Sequence, residues 1–258
     1  MADAGLAARR REQQVRGVEC STTASFSVTG ARTVREATIG DSRPNVVWLH
    51  AKRTVVGGTV KRAFDIVGAL AAIVLLLPLM GAIALAIKAW DRGPVFYRHR
   101  RVGLNGKPFD CLKFRTMVVN SDEALRRHLA TNSEAAREWE DSQKLKQDPR
   151  VTPLGQTMRK TSVDELPQLV NILKGEMSFV GPRPIVVAEV PKYGECIGHY
   201  LCARPGLTGP WQVSGRNDVD YGKRVTLDRH YVEQWSFGRD LAIIASTVRV
   251  VVTARGSY

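Results

Sequence analysis

The longest apolar segment of the chain runs from Ile66 to Ile87, 22 consecutive residues without a charged side chain. Roughly 20 apolar residues are enough for a helix to cross a bilayer, so this segment predicts a membrane helix. The alternative is a buried helix of a soluble protein, which this length and purity disfavour. Pro78 lies in the middle, and we expect a break or kink there because proline lacks the backbone donor and clashes with the preceding turn.

Basic residues lie on both sides of this segment, Lys61 and Arg62 before it and Arg92 and residues 98–101 after it. Because Lys and Arg favour the cytoplasmic side, a single crossing would leave one basic group on the wrong face. A helix that enters the bilayer, breaks at Pro78 and returns keeps both groups on the same side. We therefore favour a re-entrant helix over a single span.

The pattern after residue 91 predicts a mixture of helices and strands, and the fold class is α+β. Residues 95–103 and 109–117 are rich in strand-forming side chains and flank a Leu-Asn-Gly-Lys turn. Residues 120–147 are charged and predict a solvated helix, and residues 166–173 carry apolar positions spaced as on one helix face. Residues 237–256 are amphipathic and fit either a membrane-surface helix or a core helix. Residues 1–60 show no sustained period and predict a disordered or loosely held tail.

The formal net charge of +13 indicates a polyanionic partner: nucleic acid, an anionic membrane surface or a phosphorylated substrate. The apolar segment disfavours a soluble nucleic-acid-binding role, and the cations alternate with carboxylates instead of forming one basic face. Four cysteines without a CxxC pair indicate structural thiols in a reducing compartment.

The adjacent carboxylates Asp164 and Glu165 are the best candidates for chemistry. They lie between Arg159 and Arg183 and directly precede a predicted helix, whose N-terminus favours anions. One carboxylate can attack phosphorus, and its neighbour can help to hold Mg²⁺, which prefers oxygen ligands and substrate phosphates. Cations around the phosphate oxygens complete the requirements of phosphoryl transfer.

Other cations lie in turns or alternate with aromatic residues, and each is a weak signal by itself. Arg183 is part of a Gly-Pro-Arg-Pro turn, and its planar guanidinium matches phosphate oxygens. Arg204 and Arg216 belong to Gly-rich turns, and Lys113 lies in Lys-Phe-Arg-Thr. A surface turn or an ordinary sheet edge is the alternative for each of them.

Taken together, KRAFD at 61–65, KFRTM at 113–117, DPRVTPLG at 148–155, RKTSVDELPQLVNILKGEMSFVGPRP at 159–184 and RPGLTGPWQVSGRN at 204–217 resemble the bacterial sugar transferase family. These are monotopic polyprenyl-phosphate hexose-1-phosphate transferases. The resemblance covers residues 60–258, and SGRNDVDY and the ending ARGSY are most similar to the ExoY-like branch that initiates exopolysaccharide synthesis. One departure is Leu77-Pro78, where the family often has Ser-Pro.

The resemblance implies a membrane element at 61–90 and a cytoplasmic catalytic domain at 91–258 with amphipathic interfacial helices. Asp164 would be the nucleophile, and Glu165 would place Mg²⁺ or the lipid phosphate. Arginine and lysine side chains would bind phosphates or substrate: Arg159, Arg183, Lys113, Arg204 and Arg216. Lys61, Arg62 and Asp65 would fix the helix that breaks at Pro78.

The implied reaction moves a hexose 1-phosphate, with galactose favoured, from a UDP-sugar to undecaprenyl phosphate and releases UMP. The implied location is the cytoplasmic face of the bacterial inner membrane. Two alternatives remain open: a membrane-attached scaffold without catalysis, and a glycosyltransferase that releases UDP. The sequence does not determine the oligomeric state.

Overall fold

The computed structural model describes residues 54–252 except 143–144, 146 and 216–219. The predicted tail therefore lies outside the described residues except for residues 54–60. Arg216 also lies outside them. The helices are α1 (Gly58–Asp91), α2 (Ser121–Thr131), α3 (Ser133–Ser142), α4 (Pro153–Thr161), α5 (Gln168–Lys174), α6 (Ile197–Tyr200), α7 (Pro210–Val213), α8 (Tyr221–Glu233) and α9 (Phe237–Val252). The strands are β1 (Phe96–Val102), β2 (Pro108–Phe114), β3 (Ser178–Val180) and β4 (Gly206–Thr208), and 3₁₀ turns span Leu104–Gly106, Val163–Glu165 and Val187–Cys196. This mixture confirms the α+β class.

Helix α1 contains the predicted apolar segment and is uninterrupted from Gly58 to Asp91, with Pro78 inside it. The structure therefore shows no break in secondary structure at Pro78, and a kink at this proline stays a prediction. Proline removes a single hydrogen bond, and apolar packing against the rest of the fold on both sides of Pro78 holds the helical course. Ala69 belongs to one core cluster before Pro78, and Ile83 and Ile87 belong to another after it.

The exposed surface of α1 is almost entirely apolar. Its most apolar window has a mean hydropathy of 2.7 and is only 6% buried. Among the described residues α1 is the one helix that is long and apolar enough to cross a bilayer. Such a surface is unstable in water, so it indicates a membrane environment. No lipid is present, and the re-entrant course stays a prediction.

Polar side chains at the start of α1 bind it to the rest of the fold. Arg62 donates to the carbonyls of Ile172 and Leu173 at 2.6 and 2.7 Å. Asp65 accepts from the Ser178 hydroxyl and the Phe179 backbone N–H, both at 3.0 Å. These carbonyls end α5, and Ser178 begins β3, so the N-terminal end of α1 is joined directly to the elements that carry the site.

Lys61 forms a buried ion pair with Asp240 of α9. Asp240 is 1% exposed and also accepts from the Tyr231 hydroxyl at 2.7 Å and the Trp235 indole N–H at 3.0 Å. The same helix α9 exposes Leu241 and Val248. An amphipathic helix with exposed apolar residues favours the membrane-surface alternative over a core helix.

Strands β1 and β2 form an antiparallel hairpin from Phe96↔Phe114 to Val102↔Pro108, around the predicted turn. The turn requires a left-handed residue, Asn105 (φ 54°), a conformation that Asn tolerates well. Strands β3 and β4 are short and parallel. Gly181 and Gly206 allow their close approach, because a Cβ on Gly206 would lie 2.2 Å from the Gly181 nitrogen. This contact fixes the Gly-Pro-Arg-Pro loop.

Candidate active site

Asp164 and Glu165 form the centre of the site, on the 3₁₀ turn between α4 and α5. Ser162 ends α4 in the left-handed conformation (φ 56°), which turns the chain so that Asp164 lies 8% exposed beside β2. Helix α4 begins with Pro153 at its first position, and the Thr152 hydroxyl accepts from the Gly155 N–H at 2.9 Å. These are sequence-encoded start signals, so the local sequence determines where the carboxylates lie.

Lys113 joins the two carboxylates across the site. Its Nζ lies 2.6 Å from Glu165 Oε1 and 4.0 Å from Asp164 Oδ2. Strand β2 holds Lys113 in place through Asn171 of α5, whose Oδ1 accepts from the Leu112 N–H at 3.0 Å and whose Nδ2 donates to the Asp110 carbonyl at 2.8 Å. Asn171 is 1% exposed. This role of Asn171 could not be predicted, because a lone Asn in an apolar helix does not by itself indicate a structural contact.

Arg159 is the second cation close to Asp164. Its Nε donates to Thr116 Oγ1 at 2.9 Å, which leaves the other guanidinium donors available to a ligand. Gly155 packs against the same residue so closely that an added Cβ would lie 2.1 Å from the Thr116 carbonyl. Thr116 therefore positions Arg159, and it is a further residue that the sequence analysis missed.

The electrostatics of the pair follow from burial and from these cations. Burial raises the pKa of Asp164 to about 6; Glu165 adds to the rise, while Lys113 and Arg159 oppose it. Burial would lower the pKa of Lys113, but the neighbouring Glu165 and Asp164 carboxylates outweigh it, and the net shift is upward. Lys113 is therefore a fixed positive charge at neutral pH, and Asp164 is mostly ionised there.

Arg183, Arg101 and His99 form a second basic group, close to the hairpin that carries Lys113. Arg101 donates to the Pro184 carbonyl at 3.1 Å and lies 3.7 Å from Glu189. The pKa of His99 is lowered, first by burial and then by the charges of Arg101, Lys113 and Arg183. Lys113 also acts on His99, so this basic group lies close to Lys113.

The structure does not bring Arg204 to this group. Its Nε donates to the Gly175 carbonyl at 3.0 Å, and the charges that act on it are Arg62 and Asp65. Arg62 and Arg204 thus lie together at the C-terminal end of α5, where cations interact favourably with free carbonyls. Of the predicted substrate-binding residues, the structure places Lys113 and Arg159 beside the carboxylates, whereas Arg183 lies near His99 and Arg101.

The carboxylate pair fits a divalent cation that arrives with its substrate. Among the described residues, no three His, Cys, Asp or Glu side chains converge into a metal cage. Mg²⁺ is commonly held by one or two carboxylates together with substrate phosphates and water, and Asp164 and Glu165 offer two. These two residues would therefore hold the ion against a bound diphosphate.

Comparison with known proteins shows that the chain is an enzyme of the sugar transferase class. The chain belongs to the bacterial sugar transferase family, whose profile matches residues 56–254. It is 50% identical over 203 residues to the exopolysaccharide production protein ExoY of Sinorhizobium fredii, covering 79% of this chain and 90% of that protein. The resemblance in the motifs is therefore confirmed.

Larger relatives share the same part of the chain. The undecaprenyl-phosphate galactose phosphotransferase of Salmonella typhimurium is 51% identical over 198 residues, which are 77% of this chain and 41% of that protein. The UDP-glucose:undecaprenyl-phosphate glucose-1-phosphate transferase of Escherichia coli is 40% identical over 197 residues, 73% of this chain and 39% of that protein. The chain thus spans about two fifths of the length of these two relatives.

The raised pKa of Asp164 predicts an acid limb in the pH profile. Because a carboxylate attacks phosphorus only when ionised, we expect kcat/KM to fall about tenfold per pH unit below about pH 6. The expected midpoint lies well above the ordinary aspartate value of 3.8. Initial rates measured from pH 4.5 to 8 in one mixed buffer check this result.

Asp228 is the other carboxylate that could produce an acid limb in this pH range, because burial raises its pKa to about 7. The Asp228→Asn variant removes that titration and keeps the size of the side chain. We expect its rates to be lower but its acid limb to stay near pH 6. An acid limb that disappears in Asp228→Asn would show that Asp164 is not the group observed.

Proposed function

We propose that this enzyme transfers a hexose 1-phosphate from a UDP-sugar to undecaprenyl phosphate and releases UMP. The observation that carries this proposal is the buried Asp164 carboxylate, 4.0 Å from Lys113 and ionised at neutral pH. It combines a nucleophile with cations for phosphate oxygens, which phosphoryl transfer to an enzyme carboxylate requires. The names of the Salmonella and Escherichia relatives support the lipid acceptor.

The reaction has two steps in this proposal. In the first, an Asp164 carboxylate oxygen bonds to the β-phosphorus, the bond from that phosphorus to the bridging oxygen breaks, and UMP leaves with the electron pair. Lys113, Arg159 and Arg183 neutralise the phosphate oxygens during the attack. In the second, an oxygen of the lipid phosphate attacks the same phosphorus, the bond to Asp164 breaks, and the free carboxylate is restored.

Mg²⁺ held by Asp164 and Glu165 would supply further charge neutralisation for the diphosphate. Lys113 bonds Glu165 at 2.6 Å and keeps that side chain beside Asp164. Burial of Asp164 excludes water, which otherwise competes with the lipid phosphate for the intermediate. The fixed positions of Lys113 and Arg159 mean that little reorganisation accompanies the attack.

We propose galactose as the sugar, and the names of the relatives support it. Proteins named for galactose transfer in Salmonella and Erwinia are 51% and 52% identical to this chain, whereas the relative named for glucose is 40% identical. We also propose that the lipid-linked sugar is used for exopolysaccharide synthesis, and the two ExoY relatives, named exopolysaccharide production proteins, support this.

We propose that α1 is re-entrant and that the active site faces the cytoplasm at the inner membrane. The support is the basic residues at both ends of α1 and the exposed apolar residues of α9 on the same body. Fusion tags at both termini should then be accessible only from the cytoplasm. An N-terminal tag that is labelled from the periplasm would instead indicate a single span.

The identity of the released nucleotide tests the reaction itself. Purified enzyme, UDP-galactose and undecaprenyl phosphate should yield UMP in amounts equal to the lipid-linked product. UDP would indicate transfer of the sugar alone, and no nucleotide release from a panel of UDP-sugars would indicate a scaffold. The chain keeps Asp164, Glu165 and Arg159. Glu165 is bonded to Lys113 and Arg159 to Thr116, and these contacts favour catalysis over the scaffold alternative.

A further inference from the structure

A second polar cluster lies beyond the catalytic carboxylates, where the Gly-Pro-Arg-Pro loop meets α7 and α8. The guanidinium carbons of Arg183 and Arg224 lie 4.8 and 4.7 Å from the centre of the Trp211 ring. Trp211 is 7% exposed. Two cations therefore stack on one buried indole, an arrangement that holds both guanidinium groups in fixed positions. We call these residues, with Gln212 and Tyr221, the Trp211 cluster.

Each side chain of the Trp211 cluster has a buried polar atom with no hydrogen-bond partner in the described part of the chain. The atoms are Arg183 Nε, Trp211 Nε1, Gln212 Oε1, Tyr221 Oη and Arg224 Nε. Buried polar groups in folded proteins are nearly always paired, because an unpaired group costs about 1–3 kcal/mol. Five such atoms in one place indicate a site whose partners come from a ligand.

The supporting residues show that the cluster is rigid before a ligand binds. The Tyr193 hydroxyl donates to Asp228 Oδ2 at 2.8 Å, and the Arg183 backbone N–H lies against the same carboxylate. Asp228 is 1% exposed and lies on α8 with Arg224. Asp228 thus joins the arginine loop to the helix that carries the second arginine.

The cluster lies next to the reaction centre. Arg183 belongs to it, and both Arg183 and Lys113 are close enough to His99 to lower its pKa, after the larger effect of burial. Lys113 in turn touches Glu165. Arg101, which lies on the same hairpin as Lys113, donates to the carbonyl of Pro184 at 3.1 Å, so the loop that carries Arg183 packs against this hairpin and links the Trp211 cluster to the reaction centre.

The unpaired atoms discriminate between the two halves of a UDP-sugar. Three are N–H donors on Arg183, Trp211 and Arg224, one is the Gln212 acceptor and one is the Tyr221 hydroxyl. A uridine monophosphate moiety is anionic and rich in acceptors, and it has a single imide N–H for the Gln212 oxygen. A hexose is neutral and its hydroxyls donate as often as they accept. The donor-rich, doubly cationic cluster matches the nucleotide.

We propose that the Trp211 cluster is the subsite for the nucleotide half of the donor substrate, the part that leaves as UMP. This inference rests on the proposed function for the identity of the donor. Arg183 and Arg224 bind the α-phosphate and uracil oxygens, and Gln212 accepts from the imide. The hexose then lies on the other side of Asp164.

The test measures binding of UMP and of galactose 1-phosphate to the full-length enzyme in detergent, by calorimetry. Arg224→Gln removes a charged donor, and Gln212→Ala removes the acceptor. We expect Arg224→Gln to weaken the binding of UMP at least about tenfold and Gln212→Ala to weaken it about five- to tenfold. The affinity for galactose 1-phosphate should change less than about twofold in both variants. KM for UDP-galactose should rise in parallel with the loss of UMP affinity.

Arg229→Gln is the matched control, because Arg229 lies on the same helix and its Nε bonds Glu233 at 2.7 Å. It should bind UMP as wild type does. Folding of each variant is checked by its melting temperature. Unchanged UMP affinity in both folded cluster variants would overturn the inference, and so would a selective loss of galactose 1-phosphate. Because binding needs no turnover, these results are separate from the product assay, in which wild type releasing UDP would overturn the proposed function.

Discussion

Replacing Asp164 by Asn should reduce turnover by at least about 10³-fold, the largest effect on activity expected in this enzyme. Asparagine keeps the size of the side chain and its fit beside Lys113, but it lacks the nucleophilic oxyanion. The burst of UMP that wild type releases before lipid phosphate is added should also disappear. Single-turnover release of UMP from UDP-galactose measures both effects.

Asp122→Asn is the control for this substitution. It makes the same chemical change at a residue that is exposed on α2 and lies away from the site. It should retain wild-type rates. Glu165→Gln should also slow turnover strongly, through loss of its 2.6 Å contact with Lys113 and of a metal ligand. A UMP burst that survives in Asp164→Asn would contradict the assignment of Asp164 as nucleophile.

Replacing Lys61 by Met should destabilise the protein by about 3–5 kcal/mol, because it leaves the Asp240 carboxylate buried without its cation. Asp240 is 1% exposed and Lys61 is 5% exposed, so water cannot replace the lost partner. The expected fall in Tm is roughly 10 °C for a domain of this size. Thermal unfolding in the same detergent measures it.

The double variant Lys61→Met, Asp240→Asn should recover more than half of the loss, because it removes the uncompensated charge. The amide oxygen can still accept from the Trp235 indole N–H, and the amide NH₂ can donate to the Tyr231 hydroxyl. Arg127→Met breaks an ion pair with Glu123 that is mostly exposed, and it should change stability by less than about 1 kcal/mol. Equal losses in Lys61→Met and Arg127→Met would show that the buried pair does not hold α1 to α9.

The sequence predicts the parts of this fold that depend on local chemistry. The apolar run and the Leu-Asn-Gly-Lys turn each form as expected, because neighbouring residues determine them. The charged segment 120–147 is less regular than predicted: it forms α2 and α3, separated at Asn132. The spacing of Asn120 and Glu123 is typical of a capping box, yet the Asn120 side chain makes no capping hydrogen bond at the start of α2.

Long-range contacts explain what the sequence does not predict. Pro78 stays helical because α1 is packed on both sides of it, and this packing involves residues 109–177, remote in the chain. Arg204 looked like Arg183 in sequence, each in a Gly/Pro-containing turn, yet it binds the Gly175 carbonyl and not the site. Asn171, Thr116 and Trp211 lie within the family motifs, but their roles could not be predicted, because these roles exist only once β2, α5 and α7 are assembled.

The central claim is that Asp164 carries the phosphosugar between the two steps. Wild-type enzyme is mixed with UDP-galactose and Mg²⁺ without lipid phosphate, quenched with acid and digested, and its peptides are analysed by mass spectrometry. We expect one hexose-phosphate on the peptide that contains Asp164, lost when undecaprenyl phosphate is added before the quench. Turnover without this adduct, together with UMP that appears only after the lipid is added, would contradict the claim and indicate direct attack by the lipid phosphate.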